Sequence, residues 1–186
     1  MELRHALDRI DEIHDHLSRS EVYRGVGPRT LALTALLAAV AAAAQPARGF
    51  AAYWTAVAVL GALVGTAPIL VRCVSRGERL FRIATGRILA QFAPCVVAGA
   101  AAAFALRDAA GLLPGLWSML FGVGLFAARP YLPRTSGFVG LFYLTAGAWL
   151  LAVPGTEPWR MGTVFGAGQL AAAAVLRANL ERDDGR

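Results

Sequence analysis

The chain contains no lysine, and its 186 residues include only three histidines and two cysteines. Six stretches, each about the length of a membrane-crossing helix, also lack Asp, Glu, Lys, Arg and His: Thr30–Pro46, Phe50–Val71, Ile88–Leu106, Ala109–Ala128, Gly137–Val153 and Met161–Leu176. These absences exclude much chemistry. A proton- or cation-coupled transporter keeps a titratable relay inside its spans. An intramembrane serine protease pairs Ser with His, and intramembrane metalloenzymes need His and carboxylate ligands within the bundle. A thiol oxidase carries paired reactive cysteines, whereas Cys73 and Cys95 form neither a CxxC motif nor a disulfide framework. The expectation is a non-enzymatic protein without a cofactor.

What is present is apolar. The chain is 57% hydrophobic with a mean hydropathy of +0.54, beyond the range of ordinary soluble domains. A hydrocarbon core of about 30 Å takes roughly 17–25 helical residues per crossing, so six crossings use most of the length and leave no separate soluble domain. The predicted fold is all-α: a polytopic membrane bundle of six transmembrane helices plus one N-terminal amphipathic helix. Its parts are residues 1–29 as amphipathic helix and juxtamembrane segment, 30–176 as the transmembrane domain, and 177–186 as a tail. The start Met1-Glu2-Leu3-Arg4-His5 lacks the basic and apolar regions of a cleavable signal, so the first span is expected to direct insertion.

Arginine placement orients the bundle. Fifteen of the 18 arginines fall before the first span, in the second and fourth connections, or in the tail, and only Arg48, Arg107 and Arg160 lie on the opposite side. Because retained loops carry the basic excess, both termini are expected in the cytoplasm. The net charge of +6 is thus a membrane-flanking distribution, and no nucleic-acid partner is inferred from it. Trp54, Trp117, Trp149 and Trp159 all fall toward the outer side, where indole rings anchor helices at the headgroups.

The N-terminal segment repeats apolar residues at heptad spacing, Leu3, Ala6, Ile10, Ile13 and Leu17, with Asp8, Asp11, Glu12 and Asp15 on roughly the opposite side. Residues 1–19 carry five acids against three arginines. An interfacial helix meets anionic lipid with a basic face, so this acidic one is expected to pack on protein. A candidate partner-binding face joins Asp8, Asp11 and Asp15 to Arg72, Arg76 and Arg79, read at i, i+4, i+7 spacing in the loop Arg72–Arg87. The bland alternative, a solvated acidic face and topology-setting arginines, carries more weight than docking because exposed ion pairs contribute only about 0–1 kcal/mol. His5, His14 and His16 lie in the same helix, and Asp11, His14 and Asp15 do not complete a closed metal site.

Inside the spans, Gln91 and Gln169 stand out, since each primary amide must find partners in a medium without water. Each either ties helices together or, with Trp117, lines a cavity between helices bent at Pro68 and Pro94. The GxxxG pairs Gly61/Gly65 and Gly162/Gly166 suggest tight helix packing and, more weakly, a homo-oligomer.

The runs Tyr23-Arg24-Gly25-Val26-Gly27-Pro28, Pro114-Gly115-Leu116-Trp117, Arg129-Pro130-Tyr131-Leu132-Pro133 and Met161–Leu170 resemble an uncharacterised family of small bacterial integral membrane proteins. The resemblance covers nearly the whole chain. It implies a six-span inner-membrane protein with a short cytoplasmic N-terminal helix, and it brings no catalytic residue. The combined expectation is a membrane-anchored accessory or regulatory protein that binds a cytoplasmic partner. The alternative is a transporter or channel for a small neutral or amphiphilic solute.

Overall fold

The computed structural model describes residues 27–75, 79–132 and 135–184, with side chains apart from 72–85, 180 and 182–184. Every regular element among them is helical: α1 (Pro28–Ala43), α2 (Phe50–Ser75), α3 (Arg79–Ala105), α4 (Leu113–Ala127), α5 (Ser136–Ala152) and α6 (Pro158–Asp184). Two short 3-10 segments, Arg107–Leu112 and Arg129–Tyr131, precede and follow α4.

Four segments are long and apolar enough to cross a membrane: Phe50–Val71, Gly86–Ala105, Arg107–Ala127 and Pro158–Asn179. The other two, α1 and α5, have 16 and 17 residues. At about 1.5 Å per residue each extends roughly 25 Å, short of a 30 Å core.

Proline punctuates these helices where its missing N–H costs nothing. Pro28, Pro114 and Pro158 sit in first turns, where the amides have no intrahelical partner. Pro68 and Pro94 instead lie inside α2 and α3, each removing one hydrogen bond from a helix that nonetheless continues. The expected fourth span, Ala109–Ala128, is divided. Its first residues form the 3-10 turn, with Ala109 at φ −119°, ψ 41°, and the α-helix begins only at Leu113, ahead of Pro114 and Gly115. At the chain end, α6 runs on to Asp184 where a separate tail was expected, supported by an Arg177–Glu181 pair at i, i+4.

The segment read as a loop from Arg72 to Arg87 is helical at its described residues, 72–75 and 79–87. Arg72 lies in α2 and Arg79 opens α3, while Arg76, the third member of the expected stripe, lies outside the described residues.

Packing is uneven. The apolar windows of α4 and α6 are 33% and 28% buried, that of α2 only 6%, and that of α3 not at all. Glycine explains the tight pairs. On α4 and α5, Gly115 meets Gly147 and Gly122 meets Gly140, with the two glycines on each helix seven residues apart. Between these crossings the buried Ser118 hydroxyl donates to the Tyr143 carbonyl at 2.8 Å. On α6, a Cβ at Gly162 would come within 2.5 Å of the Ala42 Cβ on α1, and Gly166 faces the Ala35 carbonyl. The expected Gly162/Gly166 stripe therefore does bring two backbones together. Gly61 and Gly65 do not: the first has only an ordinary contact with Leu37, and the second has nothing within 4 Å.

Candidate functional site

Two groups of polar side chains are assembled from distant parts of the chain. The first is a junction of α1, α5 and α6. Thr34 Oγ1 lies 3.3 Å from Gln169 Oε1 and donates at 2.8 Å to the Leu31 carbonyl of its own helix. Tyr143, with no exposed surface, packs its ring and hydroxyl directly over Gly168 and is surrounded by Phe121, Phe142 and Phe165. Its hydroxyl makes no hydrogen bond, although the Gln169 amide lies beside it. The oxygen and nitrogen of a primary amide are interchangeable in placement. Turning Gln169 over lets Nε2 donate to Thr34 Oγ1, whose own hydrogen is already committed to Leu31. The amide thus acts between helices.

The second group closes one end of the bundle, where the α1–α2, α3–α4 and α5–α6 connections meet. Gln45 bridges two of them: its Nε2 donates to the Thr156 carbonyl at 2.7 Å, and its Oε1 accepts from the buried Trp54 indole at 2.7 Å. The third connection joins through the Gly155 amide, which donates to the Gly111 carbonyl at 3.0 Å. Arg160, only 5% exposed, donates to the Glu157 carboxylate and the Val153 carbonyl, and its guanidinium lies 5.2 Å from the Trp159 ring centre. The hydrogen bond from Arg160 holds the Glu157 carboxyl below the usual carboxylate range. The turn before α2 uses Gly49 at φ +76°, a left-handed conformation that suits a residue without Cβ. Tyr53 Oη donates to the Ala41 carbonyl at 2.7 Å and ties the start of α2 to α1.

Several expected roles change. Trp54 was read as an interfacial anchor but is 2% exposed and engaged with Gln45, while Trp117 is half-buried, stacked with Phe50, and donates to the Gly99 carbonyl of α3 at 2.9 Å. Trp149 and Trp159 remain exposed, with ring centres 6.0 Å apart. Of the three residues read as cavity-lining, Trp117 lies in the α3–α4 seam and Gln169 in the three-helix junction. Gln91 lies on an exposed face of α3. Gln91 and Gln169 share no hydrogen bond among the described residues. Asp8, Asp11, Asp15, Arg76 and the three histidines lie outside the described residues, as do the side chains of Arg72 and Arg79. Among the described residues no cluster of three His, Cys, Asp or Glu could hold a metal ion, and Cys95 is a free, half-buried thiol.

The end-closing residues were not singled out in the sequence as a site. Gln45 reads there as turn punctuation beside Pro46, and Arg160 only as one of three arginines on the sparse side. Glu157 three residues before Arg160, with Gly155 alongside, is the local pattern that signals a paired guanidinium.

Fold and composition together define the class: a membrane-embedded protein, all-helical in its regular elements among the described residues, four of whose segments there are long and apolar enough to span a bilayer. Compared with protein-family models, curated proteins and solved structures, the chain matches none.

Proposed function

We propose that this chain is a non-enzymatic, six-span protein of a bacterial inner membrane with both termini in the cytoplasm. It acts as an accessory or regulatory protein, binding a cytoplasmic partner through residues 1–29 and the arginine-rich α2–α3 connection. In this reading α1 and α5 also cross the bilayer, their short length met by local thinning and by arginines that reach for the headgroups.

The observation that carries the reading is the closed end. The three connections at the end that holds only Arg48, Arg107 and Arg160 are hydrogen-bonded to one another through Gln45, Gly111 and Gly155, and the buried Arg160 in the first turn of α6 is paired with Glu157. Side chains that a solute path would need at that end are used to hold loops together. The opposite end carries most of the arginines and is where an acidic N-terminal helix would find complementary charge.

Crosslinked affinity purification from native membranes, with and without residues 1–22, tests the proposal. A protein recovered with the full chain and lost with the truncation is the expected result. Recovery of no partner in either sample overturns it and directs attention to solute uptake in Gln91→Leu and Gln169→Leu variants. Orientation is checked separately in intact cells with a membrane-impermeant maleimide, which should label Asp108→Cys and spare Ala178→Cys.

A further inference from the structure

Arg87 and Gln91 are both exposed on α3, four residues apart, where the helix passes from its arginine-bearing part to its apolar part. The membrane-length segment begins at Gly86, so Arg87 lies at its boundary and Gln91 about 6 Å further in. Positions four apart on a helix are neighbours on one face. Neither side chain has a hydrogen-bond or ion-pair partner among the described residues. Arg107, Arg160 and Arg177, by contrast, each meet a carboxylate of the chain, Asp108, Glu157 and Glu181. A guanidinium and a primary amide left open side by side at a membrane boundary are completed only by acceptors from outside the chain.

We propose that Arg87 and Gln91 form a binding site for an acidic glycerophospholipid. The planar guanidinium fork of Arg87 matches the phosphate oxygens. Gln91 Nε2, one turn deeper, donates to an ester carbonyl, which in such a lipid lies on the hydrocarbon side of the phosphate. Gln91 Oε1 accepts from a headgroup hydroxyl or from water at the boundary.

The surroundings select the occupant. The apolar window of α3 is not buried at all within the chain, and Leu89, Val96 and Val97 are each more than half exposed, which is the surface that hydrocarbon covers. Charge then distinguishes one lipid from another. Residues 72–87 hold five arginines and a single carboxylate, Glu78, and Arg72 follows directly on the α2 segment that ends at Val71, at the same boundary. A zwitterionic headgroup brings its own cation into that positive field, whereas an acidic one does not. Below Gln91 the same face continues through Pro94 and Ala98, both exposed and compact, so an acyl chain lies along the helix unobstructed. A different flank of α3 holds it to α4: Phe92 lies over Gly124, and Gly99 accepts from Trp117. Lipid therefore reaches Arg87 and Gln91 without disturbing internal packing. The inference depends on α3 lying in the bilayer and not on the partner-binding reading.

Photoactivatable phosphatidylglycerol and phosphatidylcholine, each with a diazirine near the top of one acyl chain, test the site on the full-length protein in phosphatidylcholine liposomes. After irradiation, mass spectrometry locates the labelled residues. The acidic probe is expected to label the stretch around Pro94 and Ala98 several-fold more than the zwitterionic one. Arg87→Gln should lower that labelling roughly 5-fold, the worth of one basic residue at an anionic surface. Gln91→Leu should lower it roughly 3-fold, as for a side-chain hydrogen bond in a membrane. Arg87→Lys keeps the charge and should keep most of the labelling. Arg129→Gln, which removes an exposed charge from the α4–α5 connection, should leave it unchanged. Equal labelling of this stretch by the two probes overturns the proposal. So does labelling that Arg87→Gln lowers no more than Arg129→Gln, or that Gln91→Leu leaves unchanged. Competition by excess glycerol phosphate in the buffer also overturns it, since the site would then take a soluble phosphate ester.

Discussion

Gly115 of α4 and Gly147 of α5 face each other so closely that a Cβ on Gly115 would lie 2.8 Å from the Gly147 carbonyl oxygen, and one on Gly147 would lie 2.6 Å from the Met119 Cγ. The obstruction includes backbone on both sides, which cannot swing away as a side chain can. Gly147→Ala should therefore destabilise the protein by about 1–3 kcal/mol, the usual cost of an extra methyl in a filled interface. Gly65→Ala meets nothing within 4 Å and should be neutral or slightly stabilising, since alanine favours the helix by about 1 kcal/mol over glycine. Thermal melting in detergent micelles distinguishes the two variants, and equal melting temperatures would contradict the close crossing.

Tyr143 supplies a test of a different kind, because its ring is wholly buried while its hydroxyl lacks a bond. Tyr143→Phe keeps the aromatic packing against Phe121 and Phe165 and removes only the oxygen. Stability should change by less than about 1 kcal/mol, since deleting an unpaired buried polar group also deletes its desolvation penalty. A loss well beyond that would mean that the hydroxyl is bonded to Gln169 in the membrane. Gly168→Ala, by contrast, places a methyl group where the Tyr143 ring already sits and should cost several times as much as the Phe substitution.

Long apolar runs free of charged residues made the helices legible in the sequence. The apolar runs correspond to α1 to α6, because a segment free of charges for twenty residues has few options besides a buried or membrane-crossing helix. The ends were less legible: the 3-10 turn before α4 arises from local Gly-Leu-Leu-Pro chemistry, and α6 extends because Arg177 and Glu181 support another turn. Partner choice was illegible wherever it depended on which helices become neighbours. The spacing of Gly61 and Gly65 is the same as that of Gly162 and Gly166, yet only the second pair faces a small-residue partner, Ala42 and Ala35 of α1. Trp54 looked like any interfacial tryptophan until Gln45, nine residues earlier, was brought against its indole.

The Gln45 bridge predicts a local and a global effect from one substitution. Gln45→Ala leaves the buried Trp54 N–H without its acceptor and frees the Thr156 carbonyl. An orphaned buried donor costs about 1–3 kcal/mol, so the melting temperature should fall and tryptophan emission should shift to longer wavelength as water reaches Trp54. The conservative Gln45→Glu keeps the acceptor for Trp54 but loses the donor to Thr156, so it should retain the emission maximum while losing part of the stability. If Gln45→Ala left both readouts unchanged, the loops would not be joined as described.

Acid should loosen the same end of the bundle through Glu157. Its carboxyl is held below the usual carboxylate range first by the hydrogen bond from Arg160, then by its own backbone and by the guanidinium charge. A carboxylate whose folded value is depressed binds protons more readily in the unfolded chain. Its contribution is therefore complete above the ordinary carboxylate pKa and disappears as pH falls through the lower, folded value. The Glu157 side chain is 51% exposed, so solvent screens the pair and the effect should be modest and weakened by salt. Arg160 is the less forgiving partner: at 6% side-chain exposure it has little water to turn to when Glu157 loses its negative charge, and the Val153 carbonyl and the Trp159 ring beside it supply no countercharge. Melting curves from neutral to acidic pH should thus fall more steeply for the wild type than for Glu157→Gln, which already lacks the charge at every pH. Parallel pH profiles for the two proteins would show that the Arg160–Glu157 contact contributes nothing to holding the loops closed.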